Sequence, residues 1–142
     1  MKSDLNIFLN KKILVYGLGK SGLSTFNFLK SKSEVFLYDD FQKKNKKNIN
    51  YKILLKKKFD FIIISPGIDI NKCKLSKFLK KNFKKIYSDL DIFYTFFKND
   101  CITITGTNGK STTCKLLHDI LSKQKYDVRL VGNIGNPILS EK

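Results

Sequence analysis

The stretch Ile104-Thr105-Gly106-Thr107-Asn108-Gly109-Lys110-Ser111-Thr112 gathers the groups that hold a polyphosphate: glycines, an amine and a run of hydroxyls. Glycines let the chain turn tightly, so that successive backbone N–H groups converge on one anion, and a helix opening behind them adds its positive end. On this reading Gly106, Thr107, Asn108, Gly109, Lys110, Ser111 and Thr112 bind ATP, with Lys110 as the catalytic charge on the β/γ-phosphates and the Ser111 hydroxyl as a ligand to Mg²⁺. The general pattern G-x-x-x-x-G-K-[ST] wants a glycine where Ile104 stands, so the loop is a short variant that begins at Gly106. Such a loop needs a strand before it and a helix behind it. Residues 101–105 alternate β-branched side chains like a buried strand, and Leu116, Leu117, Ile120 and Leu121 recur at helical spacing. The alternative is a glycine turn with an incidental lysine.

A second glycine-rich turn, Gly17-Leu18-Gly19-Lys20-Ser21-Gly22, follows the apolar run at residues 12–16. Leu23, Phe26 and Leu29 predict a helix face behind it, and residues 34–38 predict a second strand ending in Asp39-Asp40. An acidic pair about twenty residues past a G-x-G-x-x-G turn is the ground plan of a dinucleotide-binding crevice. The same glycines also serve close helix–strand packing without any ligand. Residues 59–64 form a continuous apolar run, read as a central parallel strand that ends at Ser65-Pro66-Gly67. That turn should join the first glycine loop at the carboxyl edge of the sheet, where ligands of open α/β sheets bind.

The remaining elements must support these loops. Residues 51–58 read equally as a short strand or a turn or two of helix. Leu75, Phe78, Leu79 and Phe83 predict a helix face, residues 85–87 a brief strand, and Ser88 with Asp91 a capping box ahead of a core stripe of Ile92, Phe93, Phe96 and Phe97. Lys98-Asn99-Asp100 is the best linker, which divides the chain into a nucleotide-binding unit at 1–98 and the beginning of an ATP-binding unit at 99–142. The second unit continues through a predicted strand at 128–131 to Gly132-Asn133-Ile134-Gly135-Asn136-Pro137, and is expected to be incomplete because one crossover leaves a sheet edge and a face uncovered. The fold class is therefore α/β: a Rossmann-like parallel-sheet domain followed by the start of a P-loop domain.

With 28 basic and 12 acidic residues the formal charge is +16, which raises the question of nucleic acid. All but one of the basic residues are lysines spread over nearly every polar face, whereas sequence readers favour arginine forks and single-strand binders need exposed aromatics. The charge is read as compositional bias, with no nucleic acid or membrane as partner. Three cysteines without ligand spacing fit no disulfide framework, and no leader or spanning run is evident, so a cytoplasmic setting is expected. His118 is read as a helix-face residue.

The loop T-G-T-N-G-K-S-T resembles the ATP loop of the Mur ligases, amide-forming enzymes of peptidoglycan precursor synthesis. The resemblance extends to the chain order of the Gly17 turn, Ser65-Pro66-Gly67-Ile68, the ATP loop and Gly132-Asn133-Ile134-Gly135, which is that of the D-glutamate-adding branch. It implies that the first unit holds the UDP of UDP-N-acetylmuramoyl-L-alanine through Gly19, Lys20, Ser21, Asp39, Asp40, Ser65, Pro66 and Gly67, with Asn133 near the pyrophosphate. Relatives often carry an arginine two places after the first aspartate; here that place is Phe41. The implied reaction uses ATP and Mg²⁺ to activate the substrate carboxylate as an acyl phosphate for attack by D-glutamate, in an enzyme that is monomeric when complete. Further metal ligands and a closing domain are expected beyond Lys142, which would leave the present chain inactive alone. Two other readings stay open: an NAD-dependent oxidoreductase, and a non-catalytic nucleotide-sugar binding module.

Overall fold

The computed structural model describes residues 6–42, 48–132 and 135–141. The elements run β1 (Lys12–Tyr16), α1 (Lys20–Leu29), β2 (Glu34–Tyr38), α2 (Tyr51–Lys56), β3 (Phe61–Ile64), α3 (Ser76–Lys81), β4 (Ile86–Tyr87), α4 (Asp89–Phe96) and α5 (Lys110–Lys123), with 3₁₀ turns at Phe83–Lys85 and Ile138–Ser140. The four strands form one parallel sheet in the order β2-β1-β3-β4. The chain is thus an α/β protein with a Rossmann-like sheet, as its βαβ pattern predicts. Connections leave β1 and β3 in opposite directions, so the topological switch point lies between their carboxyl ends.

Successive residues of a strand face opposite sides of the sheet, and both sides here are covered. Ile13, Val15, Leu37 and Ile63 belong to one apolar cluster with Leu29 of α1 and Ile92 of α4. Leu14, Tyr16, Ile62 and Ile64 belong to the other, with Leu54 of α2 and Leu79 of α3. This explains why β1 and β3 read as unbroken apolar runs rather than alternating ones.

Several local expectations are sharpened. The ambiguous stretch is helical: Asn50 caps α2 by accepting from the Lys52 N–H at 2.9 Å. The Ser88–Asp91 capping box is present, with each side chain bonded to the other's backbone N–H. In α1 Leu29 is buried, but Leu23 is exposed and Ser24 and Thr25 are buried in its place. The helix is rotated so that Gly22 meets the end of β1, and the faces follow from that contact. Phe83 lies past the end of α3 and is 68% exposed, because the helix has already given way to a 3₁₀ turn.

The larger correction concerns residues 99–131. Neither predicted strand forms: residues 101–105 have no ladder partner, and of residues 128–131 only Val131 makes an isolated bridge, to Asn136. A β-branched run becomes a strand only beside another strand, and both edges of the sheet lie elsewhere. The helix α5 does form over the predicted residues but buries none of them, leaving Leu116 60% exposed. Residues 137–141, in contrast, return to the first unit. Ile138 and Leu139 are buried in the cluster beneath α1 and α4, Val131 packs against it, and Ser140 Oγ donates to Ser24 Oγ at 2.8 Å. A division at residue 98 accordingly puts this strap on one side and its packing partners on the other.

The strap generates a stability prediction. Leu139→Ala in residues 1–142 should cost about 2–5 kcal/mol, the range for truncating a buried leucine, read as a lower urea midpoint by circular dichroism. A midpoint unchanged from the parent would show that the strap is not part of the folded core.

Candidate nucleotide-binding site

The site is built where β1 and β3 end side by side. Tyr16 and Ile64 are register partners, and the Ser65 N–H donates to the Tyr16 carbonyl at 3.0 Å, which carries the ladder one residue into the loops. Ser65 Oγ then donates to the Gly17 carbonyl at 2.8 Å. Gly17 has φ of +94°, and a Cβ on it would lie 2.9 Å from the Ser65 Cβ. A Cβ on Gly22 would fall 1.8 Å from the Gly17 carbonyl oxygen. These two glycines are therefore required for packing. Gly19 differs: nothing lies within 4 Å of the place a Cβ would take, and it precedes α1 without a side-chain cap. Gly19 thus borders open space at the start of α1, and a helix N-terminus suits an anion.

Lys20 is exposed at the start of that helix. Ser21 is half-buried, and its hydroxyl faces the carboxylate of Asp89 at the start of α4. Burial pushes the Asp89 carboxyl up, against the N–H groups of Leu90 and Asp89 and the Ser21 hydroxyl. Sequence reading missed Asp89, because its neighbours Ser88 and Asp91 explained the helix start completely.

Asp39 is the clamp of the site. Its Oδ2 accepts from the Leu18 N–H at 2.7 Å, and its Oδ1 accepts from Phe41 at 2.8 Å and Gln42 at 3.0 Å. Gln42 Nε2 closes the ring on the Leu18 carbonyl at 3.2 Å. Burial opposes the charge on Asp39, yet the three N–H donors outweigh it and hold its carboxyl below the usual value. An ionised carboxylate has about four lone-pair positions; three are spent on backbone. Gln42 carried no sequence signal, since its role depends on how far the β2 loop folds back.

Asp40 ties different elements together. Its Oδ2 accepts from the Tyr16 hydroxyl at 2.7 Å and from the Lys74 N–H at 3.2 Å, while its Oδ1 is buried without a partner among the described residues. Burial first, then the Cys73 thiol and Asp40, push the Tyr16 phenol far up, so it stays a donor. The Tyr38 phenol is pushed up to about 12, by burial and then by Asp40. A cleft of about 550 Å³ opens here, lined in part by Tyr38, Asp39, Asp40, Tyr51 and Lys74. Pro66 and Gly67 are exposed on the neighbouring loop. Asn133 lies outside the described residues.

The second glycine loop stands apart. Gly106 and Gly109 have φ of +147° and +75°, and no atom lies within 4 Å of a Cβ placed on Gly109. Gly109 leads into α5 without a side-chain cap, and Ser111 and Thr112 are exposed beside Asp119 along a shallow depression. Lys110 Nζ donates to the Gly106 carbonyl and to the Thr107 carbonyl, the latter at 3.2 Å. The structure thus brings Gly19, Lys20, Ser21, Asp39, Asp40 and Ser65 to one sheet edge, and gathers residues 106–112 into a separate loop. His118 sits half-buried on α5 with its Nδ1 3.4 Å from Asp119.

Curated relatives decide the family. Over 149 aligned residues, 97% of this chain, 37% are identical to the UDP-N-acetylmuramoylalanine–D-glutamate ligase of Rickettsia bellii. The ligase of the same name from Buchnera aphidicola is 42% identical over 93% of the chain, and that from Lachnoclostridium phytofermentans 34% over 92%. The chain belongs with the Mur ligases. It spans about a third of the length of these relatives, 32–33% in each. No protein-family model matches it. Among the described residues, no helix is long and apolar enough to cross a membrane.

The clamp yields a pH prediction. Asp39→Asn keeps the shape but loses the charge that orders three N–H groups, and should cost about 1–2 kcal/mol at pH 7. Because the folded carboxyl titrates below the unfolded one, the native advantage is complete above about pH 4 and is lost as pH falls through the folded value. Urea unfolding from pH 7 down to pH 3 should show the two proteins converging; a gap that stays constant would assign the stabilisation to something other than the charge.

Proposed function

We propose that this chain is the amino-terminal portion of an ATP-dependent ligase that adds D-glutamate to UDP-N-acetylmuramoyl-L-alanine in peptidoglycan precursor synthesis. The observation that carries this reading is the pairing of the two glycine loops in one chain whose similarity to ligases of that name runs along nearly its whole length. Residues 1–98, with the strap, hold the UDP moiety: the open N-terminus of α1, with Lys20 and Ser21, takes the pyrophosphate, and the β2 and β3 loops flank the nucleoside. Residues 99–142 begin the ATP-binding part, and the setting is the cytoplasm.

The residues present fit ATP and Mg²⁺. The positive φ at Gly106 and Gly109 and the open space above Gly109 suit a phosphate held against backbone N–H groups. An ammonium has three donors. Two of those of Lys110 are engaged by the Gly106 and Thr107 carbonyls, which leaves one for a phosphate oxygen at the loop's centre. The exposed Ser111 hydroxyl serves as one oxygen ligand to Mg²⁺. When bound, ATP supplies the phosphoryl group. The substrate carboxylate attacks the γ-phosphorus and ADP departs, and the amine of D-glutamate then displaces phosphate as the amide forms. In this scheme the chain's own residues orient the phosphates and neutralise charge; alone they are inactive.

An NAD-dependent oxidoreductase is less well served by the geometry. In that fold the acidic residue after β2 accepts from a ribose hydroxyl, whereas Asp39 is already engaged with three backbone N–H groups. Calorimetry on residues 1–142 should detect UDP-N-acetylmuramoyl-L-alanine and not NAD; tighter binding of NAD would overturn the assignment. In the complete ligase, Lys110→Ala should lower phosphate release dependent on D-glutamate and the UDP-substrate by about 10² or more, and full activity in that variant would remove residues 106–112 from the reaction.

A further inference from the structure

In a parallel sheet, every helix that returns the chain to the next strand ends at the sheet's amino edge. That edge lies opposite the candidate nucleotide site, and folding gathers lysines along it. α2 ends in Lys56 with Lys58 beyond it, and α3 ends in Lys80 and Lys81 with Lys84 beyond them, all five exposed. The two helix ends are neighbours. Lys57 lies 3.9 Å from Glu34 at the start of β2, Lys85 Nζ donates to the Phe59 carbonyl ahead of β3 at 2.7 Å, and the Phe59 and Phe78 rings are 6.3 Å apart. Lys11 and Lys12, at the start of β1, extend the same edge. Against these stand Glu34, which faces Lys57, and Asp60, which accepts from the Lys12 N–H at 2.8 Å. The carboxyl edge differs: there, among the described residues, Asp39, Asp40 and Asp89 stand against Lys20 and Lys74. Bias in composition sets how many lysines the chain has; the fold sets where they gather.

Cations in the last turn of a helix complement its dipole, which accounts for Lys56, Lys80 and Lys81 but not for Lys58 and Lys84 beyond the helices. Nor does it account for Phe83, 68% exposed between Lys81 and Lys84, or for Leu55, 43% exposed beside Lys56. One exposed apolar side chain asks for no explanation. Apolar side chains set among lysines match a surface whose outer layer is anionic and whose interior is hydrocarbon. A nucleic acid would answer the charge, but single strands are held by aromatics arranged as a stacking platform, and here one ring is accompanied by an aliphatic side chain. We propose that the amino edge, built from the ends of α2 and α3, is a docking surface for an anionic phospholipid membrane, with Phe83 entering the interface and the lysines around it holding the head groups. The lysine stems lie against apolar surface while their ammonium groups reach the phosphates. Docked in this way, the chain turns its carboxyl edge, with Gly19 and Asp39, away from the lipid. The surface is independent of what that edge binds.

Residues 1–142 should sediment with vesicles made of equal parts phosphatidylglycerol and phosphatidylcholine, and stay in solution with vesicles of phosphatidylcholine alone. Removing three charges from the amino edge, as Lys80→Gln with Lys81→Gln and Lys84→Gln, should weaken binding to the mixed vesicles about a hundred-fold, at roughly five-fold for each lysine. Removing three from α5, as Lys115→Gln with Lys123→Gln and Lys125→Gln, should leave it nearly unchanged, with circular dichroism showing the parent fold in both. The sequence contains no tryptophan, so Phe83→Trp introduces a single reporter, whose emission should shift to the blue with the mixed vesicles only. Equal losses in the two triple variants would assign binding to net charge and overturn the surface. An unshifted emission would overturn the entry of residue 83 into the interface. Tighter binding to single-stranded RNA than to the mixed vesicles at physiological salt would make the edge a nucleic-acid site instead, and no sedimentation of the unaltered chain would overturn the proposal outright.

Discussion

The structure depends on how closely the first turn of α1 approaches the end of β1. The space between the Gly17 carbonyl and Gly22 leaves no room for a Cβ, and the same carbonyl accepts the Ser65 hydroxyl. Three elements thus converge on one oxygen: β1 through its own chain, α1 through the missing side chain, and β3 through the serine. Any residue larger than glycine at position 22 would push the helix off the sheet edge. The helix N-terminus would then cease to point over the switch point, because its direction is set by that contact and by burial of Thr25 and Leu29 further along. Packing and binding are here one constraint seen from two sides, since the glycines that permit the contact also leave Gly19 open to solvent.

The rest of the site is organised outward from that contact by polar groups that spend themselves on backbone. Asp39 joins the β1 loop to the β2 loop, Asp40 joins Tyr16 to the segment before α3, and Ser65 joins β3 to β1. Each of these three side chains, offered by the sequence as a ligand contact, is also a bridge between loops. A substituted Asp39 or Ser65 would disturb loop geometry as well as any direct contact, so loss of binding in such variants does not by itself place the side chain on the ligand. Lys20, at the start of α1, is exposed and makes none of these three bridges.

What the sequence made legible follows the range of the forces involved. The strand–glycine–helix–strand pattern of residues 12–38, the unbroken apolar run of β3 and the capping box of α4 are local or strictly periodic, and they are found where the pattern places them. The rotation of α1 is not local: it depends on Gly22 meeting Gly17 and on Ser24 meeting Ser140, 116 residues away. The grip of Gln42 on Leu18 depends on a loop fold no periodicity announces. Residues 101–105 failed for a different reason. Their alternation is a strand signal, but a strand is a relation between two chains of hydrogen-bonding groups, and the pattern carries no information on whether the second is present.

The contrast between α5 and the strap shows what the second half of the chain owes to the first. α5 is a full helix with no fully buried residue: its N-terminus is set by the glycine loop, and Leu116 and Ile120 on its apolar side stay exposed. The strap has almost no regular structure, yet Ile138 and Leu139 are buried as deeply as strand residues, and Glu141 is held by Asn136 Nδ2 at 2.7 Å and faces Arg129. Secondary structure and tertiary attachment are thus separated along the same stretch. Residues 99–130 are joined to the first unit at both ends, through Phe96 and Phe97 before them and Val131, Ile138 and Leu139 after them, and all five belong to or pack on the cluster beneath α1. Both attachments bear on the helix that carries Lys20 and Ser21.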